Sequence, residues 1–374
     1  MAHSHQACVQ VQLSNASHRG PCYPRSLVLA SSLRLQYVCP RAASACFAGE
    51  PGYLWRMTGF RIAVLDDYQH VARESADWSA LPPDSTLEVF SDHLHDEAAL
   101  VARLRPFHVI VAMRERTPFP RALLGQLPEL RLLVTTGARN ASIDVAAARE
   151  LGIVVSGTGG LPYPTAELTW GLILALARHI PAEDRAVREG AWQTTLGVGL
   201  SGKTLAVLGL GRLGTQVARV GRAFGMHVIA WGPNLTPERA AAADAEWVDK
   251  ATLLSRADVL TIHLVLGPST RRLIGAAELA QLQRTAYVIN TSRGPIIDEA
   301  ALVAALREKR IAGAGLDVFD REPLPRDHAL LTLPNTVLTP HLGYVTRETY
   351  QIFYGDALDD IRAFAAGAPV RVIT

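Results

Sequence analysis

Apolar residues in this chain of 374 residues gather into short, β-rich runs that do not alternate with polar positions. A first series occupies 61–65, 87–90, 108–111, 131–134 and 153–155. A second follows Lys203, at 204–208, 227–230, 259–262, 287–290, 313–318 and 336–339. Short runs separated by helix-compatible stretches mark strands of parallel sheets covered on both faces. Helices are expected at 212–224 and 299–309, with a last one at 347–365. The pattern predicts an α/β protein with two doubly wound parallel-sheet domains.

Between the two series, residues 165–180 are apolar on nearly every face and bounded by Pro164 and Pro181. Glu167 in the first turn and Arg178 and His179 in the last suit the helix dipole. A helix apolar all round is buried, and this one is expected between domains or subunits.

The first 56 residues show neither the helical nor the strand period. They hold five arginines, no lysine and Glu50 as the only acid, so they carry +4 of a total of +2 and leave the remainder at −2. Cys8, Cys22, Cys39 and Cys46, all the cysteines of the chain, lie there too. Residues 1–57 are expected to be a disordered extension upstream of Met57, with an organelle-targeting peptide as the alternative. From residue 57 onward there is neither a cysteine nucleophile nor a thiolate metal site, and no metal is expected. The near-neutral charge gives no footing for nucleic acid. The longest apolar stretch, 168–176, is well short of the roughly 18 residues of a membrane span.

Chemistry first surfaces at 209–214, where GLGRLG follows a buried run and opens a helical one. Gly209 permits a tight turn, Gly211 lets backbone N–H groups approach a pyrophosphate, and Gly214 allows close helix–strand packing. Arg212 and Leu213 complete the helix N-terminus that would face the phosphates. An Asp or Glu about 20 residues on, for the ribose 2′-hydroxyl of NAD, is missing: the chain reads WGPN at 231–234. Asn234 and Thr236 suit either NAD or NADP, and Arg239 stands too far along to reach.

Three further segments close second-series strands in order: NTSRG at 290–294, DVFDREP at 317–323 and PHLG at 340–343. Ligands of open α/β sheets bind outside the carboxyl ends of the strands, so Arg293, Glu322 and His341 are expected to converge. With the glycine loop, these segments resemble the D-isomer-specific 2-hydroxyacid dehydrogenase family, from about residue 60 to the end. The resemblance implies that Arg293, Glu322 and His341 are catalytic. Arg293 would grip a substrate carboxylate and polarise the adjacent carbonyl. His341 would exchange the proton of the keto or hydroxyl oxygen, with Glu322 stabilising the imidazolium and raising its pKa.

The resemblance further implies that His263, Thr291 and Asp317 line the cofactor, although Asp317 has a plainer reading as the cap of the loop after it. The loop at Gly137, Ala138 and Arg139 would bind the substrate carboxylate. Arg114 and Arg116 would touch a distal anionic group or serve as surface arginines. A Rossmann NAD(P) domain at 161–342 would be inserted into a flavodoxin-like substrate domain at 58–160 and 343–374. Val265 and Tyr344 depart from the family's usual residues, and Tyr344 is expected to reshape the pocket. Glu322 stands where formate dehydrogenases carry Gln. The expectation is a cytoplasmic, homodimeric reductase of a small 2-keto acid using NAD or NADP. A dinucleotide-sensing, corepressor-like interaction protein of the same fold is the alternative.

Overall fold

The computed structural model describes residues 59–374, and the expected extension at 1–57 lies outside them. Five strands, β1 (Arg61–Val64), β2 (Thr86–Val89), β3 (Val109–Ala112), β4 (Leu132–Thr135) and β5 (Val154–Gly157), form one sheet in the order β2-β1-β3-β4-β5. All its pairs are parallel, and the order is that of flavodoxin-like domains. A second parallel sheet holds β6 (Thr204–Leu208), β7 (His227–Trp231), β8 (Glu246–Trp247), β9 (Val259–Ile262), β10 (Tyr287–Asn290), β11 (Gly313–Leu316) and β12 (Thr336–Leu338). Its order, β12-β11-β10-β9-β6-β7-β8, reverses direction between β6 and β9, as in a Rossmann sheet.

Unbroken apolar runs end up as central strands because both faces are covered. Every residue of β3, β4, β9, β10 and β11 is buried. The helix Arg347–Ala365 returns to the first sheet, where Tyr350, Phe353, Tyr354, Ala357 and Ile361 pack on Ile62, Val64, Val109 and Val134. The bridging helix spans Pro164–Ala177, ending three residues short of the expected boundary because His179 adopts φ 52° and a new helix, Ile180–Arg188, begins. It packs Leu172, Ile173 and Leu176 into the core of the second sheet with Leu205, Val207 and Ile289.

After the last helix the chain doubles back along β5. Ile373 donates to the Val155 carbonyl at 2.8 Å, Gly157 donates to the Arg371 carbonyl at 3.0 Å, and Ser156 bridges Val372 antiparallel. Arg371 reaches Asp360 of the helix, Nε to Oδ1 at 3.0 Å. Asp360 is 1% exposed, and its Oδ2 has no hydrogen-bond partner among the described residues. Burial pushes its carboxyl up to about 7, against the pull of Arg371. A folded-state value above the ordinary one means the folded state holds the proton more tightly, so stability falls as pH rises toward 7 and levels off above it. Asp360→Asn keeps an acceptor for Arg371 without the charge. It should raise Tm at pH 8 by roughly 2–4 °C and by less at pH 5; equal shifts at both pH values in thermal melts would contradict the assignment.

Candidate active site

At the end of β6 the chain turns at Gly209, whose φ of 99° lies in the region that favours glycine. A Cβ there would lie 2.9 Å from the His263 carbonyl, and one at Gly214 would lie 2.2 Å from the Gly209 carbonyl oxygen. The helix Arg212–Ala223 therefore presses directly on the loop that leads into it. Gly211 differs: it is the N-cap residue, the space its Cβ would fill is open, and no side chain caps the helix. The amides of Arg212, Leu213 and Gly214 have no intrahelical acceptor. Open space beside an uncapped helix N-terminus fits the pyrophosphate of a dinucleotide.

Past β7, residues 232–236 hold no acid; the first carboxylate, Glu238, lies in the first turn of the helix Pro237–Ala241 and is hydrogen-bonded to Thr236. Gly232 lies against the loop, and a Cβ there would make an ordinary 3.6 Å contact with Gly209 Cα. Arg239, expected to fall short, folds back from the helix Pro237–Ala241 and donates to the Asn234 carbonyl at 3.0 Å.

His263 binds Thr261 Oγ1 through Nε2 at 2.9 Å, and burial pushes its pKa down to about 4, so it is neutral at physiological pH. Thr291 is buried and shares a 2.8 Å hydrogen bond with Thr169, whose own proton goes to the Thr165 carbonyl. The bridging helix is thereby pinned to the end of β10. Asn290 binds both sides of the next turn: its Oδ1 accepts from the Ser292 amide at 3.0 Å and its Nδ2 donates to the Arg293 carbonyl at 2.9 Å.

Arg293, Glu322 and His341 follow β10, β11 and β12, three neighbouring strands. His341 Nδ1 and Glu322 Oε2 are 2.6 Å apart, while Glu322 Oε1 accepts from the Phe319 amide at 3.0 Å. Burial works to raise the Glu322 carboxyl, but the His341 hydrogen bond and charge, the Phe319 amide and Arg293 outweigh it and hold it below the usual range. Gly294 sets the spacing of these loops, since a Cβ there would lie 2.1 Å from Phe319 carbonyl carbon.

Asp317 is bonded to the loop that follows β12. It has no exposed surface, and its carboxylate accepts from Thr339 Oγ1 and from the Leu342 and Gly343 amides at 2.6, 2.6 and 2.8 Å. Burial pushes its pKa up, against these hydrogen bonds and the charge of His341. The His341 amide also donates to the Asp317 carbonyl at 2.8 Å. The loop carrying His341, which sits at φ 56°, is thus held from one residue.

In the expected substrate loop one amide already has a partner. The Gly137 amide is engaged with Thr158 Oγ1 at 2.7 Å, so it is not offered to a ligand. The amides of Ala138 and Arg139, both exposed, donate to no protein atom in the described residues. Arg114 lies against Gly137 and donates to the Thr136 carbonyl at 3.1 Å; Arg116 donates to the Asp66 carbonyl at 2.7 Å. Both guanidinium groups stand near the Tyr344 ring, at 5.9 and 5.8 Å, and that ring meets His341 edge-on at 5.6 Å. Arg114 and Arg116 are therefore grouped around the Tyr344 ring, beside His341.

Sequence reasoning missed Glu115. It follows β3 of the first sheet, yet its Oε1 accepts from Arg293 Nη2 at 2.9 Å. Its position between the two arginines after β3 was the available signal, since an acid there has cations on both sides.

Residues 170–343 match the family model described as D-isomer specific 2-hydroxyacid dehydrogenase, NAD binding domain. The chain is 44% identical over 255 residues to a glyoxylate reductase of Aeropyrum pernix, covering 66% of this chain and 76% of that one. It is 41% identical over 253 residues to a D-3-phosphoglycerate dehydrogenase of Methanocaldococcus jannaschii, covering 67% of this chain but only 48% of that longer relative. A solved phosphoglycerate oxidoreductase of Vibrio cholerae superposes with a TM-score of 0.79 at 37% identity, covering 83% of this chain and all of that one. Fold, loops and sequence agree: the chain belongs to the D-isomer specific 2-hydroxyacid dehydrogenase family.

Proposed function

We propose that the protein is an NAD(P)-dependent D-2-hydroxyacid dehydrogenase that works as a reductase of small 2-keto acids. The observation that carries this reading is the 2.6 Å His341–Glu322 pair, set beside Arg293 at the ends of three adjacent strands. When bound, the nicotinamide dinucleotide supplies or takes up the hydride. Glu322 holds His341 through Nδ1, leaving Nε2, which has no partner in the described residues, to give its proton to the keto oxygen. Arg293 holds the substrate carboxylate and polarises the carbonyl beside it. The Ala138 and Arg139 amides add donors from the opposite side of the cleft. Gly209, Gly211 and Gly214 admit the pyrophosphate, His263 and Thr291 line the nicotinamide end, and Asp317 holds the loop that carries His341.

The site also favours acceptance of NADP. The segment 232–236 lacks the acid that would repel a 2′-phosphate, Arg239 places a cation on the Asn234 loop, and Glu238 is turned to Thr236. An absorbance assay of the core from Met57, with NADH and NADPH against glyoxylate, pyruvate, hydroxypyruvate and phosphohydroxypyruvate, tests both statements. Turnover with at least one acid is expected, with NADPH accepted at least as well as NADH. Gly232→Asp should shift the ratio of binding constants, read by titration, at least tenfold toward NADH. Tight dinucleotide binding with no turnover would instead favour a sensing role.

We further propose a homodimer. Trp192 is 77% and Leu196 is 91% exposed in the irregular segment 189–199, beside the half-exposed Ile180 and Val187. An apolar patch of this kind marks an interaction surface, and a second copy is the occupant supported by the family. Light scattering should give about twice the 40.4 kDa chain mass, and Trp192→Glu should give one.

A further inference from the structure

Glu115 and Arg293 come from different sheets and meet across the cleft. Glu115 Oε1 accepts from Arg293 Nη2 at 2.9 Å, while its second oxygen, Oε2, is buried 3.7 Å from Arg114 Nε and has no hydrogen-bond partner among the described residues. We propose that Glu115 is a specificity-determining residue, favouring 2-keto acids whose C3 substituent is neutral and donates a hydrogen bond over those bearing a second anionic group. The inference rests on the reductase reading above.

Three observations support it. First, Glu115 is bonded to Arg293, so a substrate held by Arg293 through its carboxylate would share that guanidinium with Glu115 and bring its C3 group toward the Glu115 carboxylate. Second, Oε2 has the Arg114 guanidinium 3.7 Å away but accepts no hydrogen bond among the described residues; a buried acceptor without a donor is costly, and a C3 hydroxyl is the substrate group that would donate one. A site built to hydrogen-bond a hydroxyl discriminates strongly against the analogue lacking it. Third, the carboxylate stays charged. Burial acts to raise its pKa, but Arg114 and Arg293 outweigh that and hold it below the ordinary value. A fixed negative charge beside the substrate's own anchor opposes a phosphate or second carboxylate. Arg114 and Arg116 draw anions toward the cleft in general. Glu115, bonded to the group that holds the first charge, decides on the second.

The test compares kcat/KM for pyruvate, hydroxypyruvate and phosphohydroxypyruvate in the full chain, Glu115→Gln and Glu115→Ala. The natural chain should favour hydroxypyruvate at least tenfold over each of the others. Glu115→Gln, which keeps an acceptor but removes the charge, should narrow the gap to phosphohydroxypyruvate at least tenfold. Glu115→Ala should also erase most of the preference for hydroxypyruvate over pyruvate. A natural chain that prefers phosphohydroxypyruvate, or ratios unmoved in both variants, overturns the inference and leaves the reductase reading standing. No turnover of any substrate by the natural chain overturns both.

Discussion

His341→Ala should lower kcat for keto-acid reduction by about 10²- to 10⁴-fold, the usual share of a general acid, while dinucleotide affinity stays within about twofold. The loss is chemical because the backbone of the loop is held independently of the imidazole. Asp317 takes the Leu342 and Gly343 amides, and its carbonyl takes the His341 amide. Position 341 has φ 56° whatever its side chain, so the exchange adds no new backbone strain. Dinucleotide titration read by fluorescence, alongside steady-state rates, separates the two effects. Normal turnover would remove His341 from proton transfer.

Gly294→Ala should cost about 3 kcal/mol or more, at the upper end of overpacking. The added Cβ would lie 2.1 Å from the Phe319 carbonyl carbon, 2.2 Å from its oxygen and 2.6 Å from the Asp320 nitrogen. All three are backbone atoms, so no side chain can rotate away. The segment that must shift carries Glu322, whose Oε1 is bonded to the Phe319 amide. Melting should fall by roughly 6 °C or more, and activity should fall further as Arg293 and Glu322 lose their common spacing. Gly211→Ala is the comparison, since nothing lies within 4 Å of its Cβ and its melting point should hardly move. A Gly294→Ala chain that melts like the natural one would show that the two loops are not wedged together.

Most of the fold was legible because buried parallel strands are unbroken apolar runs, and β6, β9 and β10 fall where those runs fall. β8 was not legible. Its two residues, Glu246 and Trp247, are exposed and join the sheet only by pairing with β7, so no burial pattern marks them. The glycine loop and the positions of Arg293, Glu322 and His341 could be read because each follows a recognisable strand. The link from Glu115 to Arg293 could not, because 178 residues separate them and only the meeting of two sheets creates it. The occupied amide of Gly137 was equally hidden, since its acceptor, Thr158, sits 21 residues further on.

The run of residues 370–373 beside β5 has a consequence for the behaviour of the protein in concentrated solution. β5 is the last strand of its sheet, and a bare last strand is a template on which another chain can pair. Here residues 370–373 occupy that template. The opposite flank, β2, turns Thr86 and Glu88 outward, and the carboxylate makes it a poor seed for stacking. Self-association through stray strand pairing is therefore resisted on both sides of the sheet, by occupation at one flank and by charge at the other.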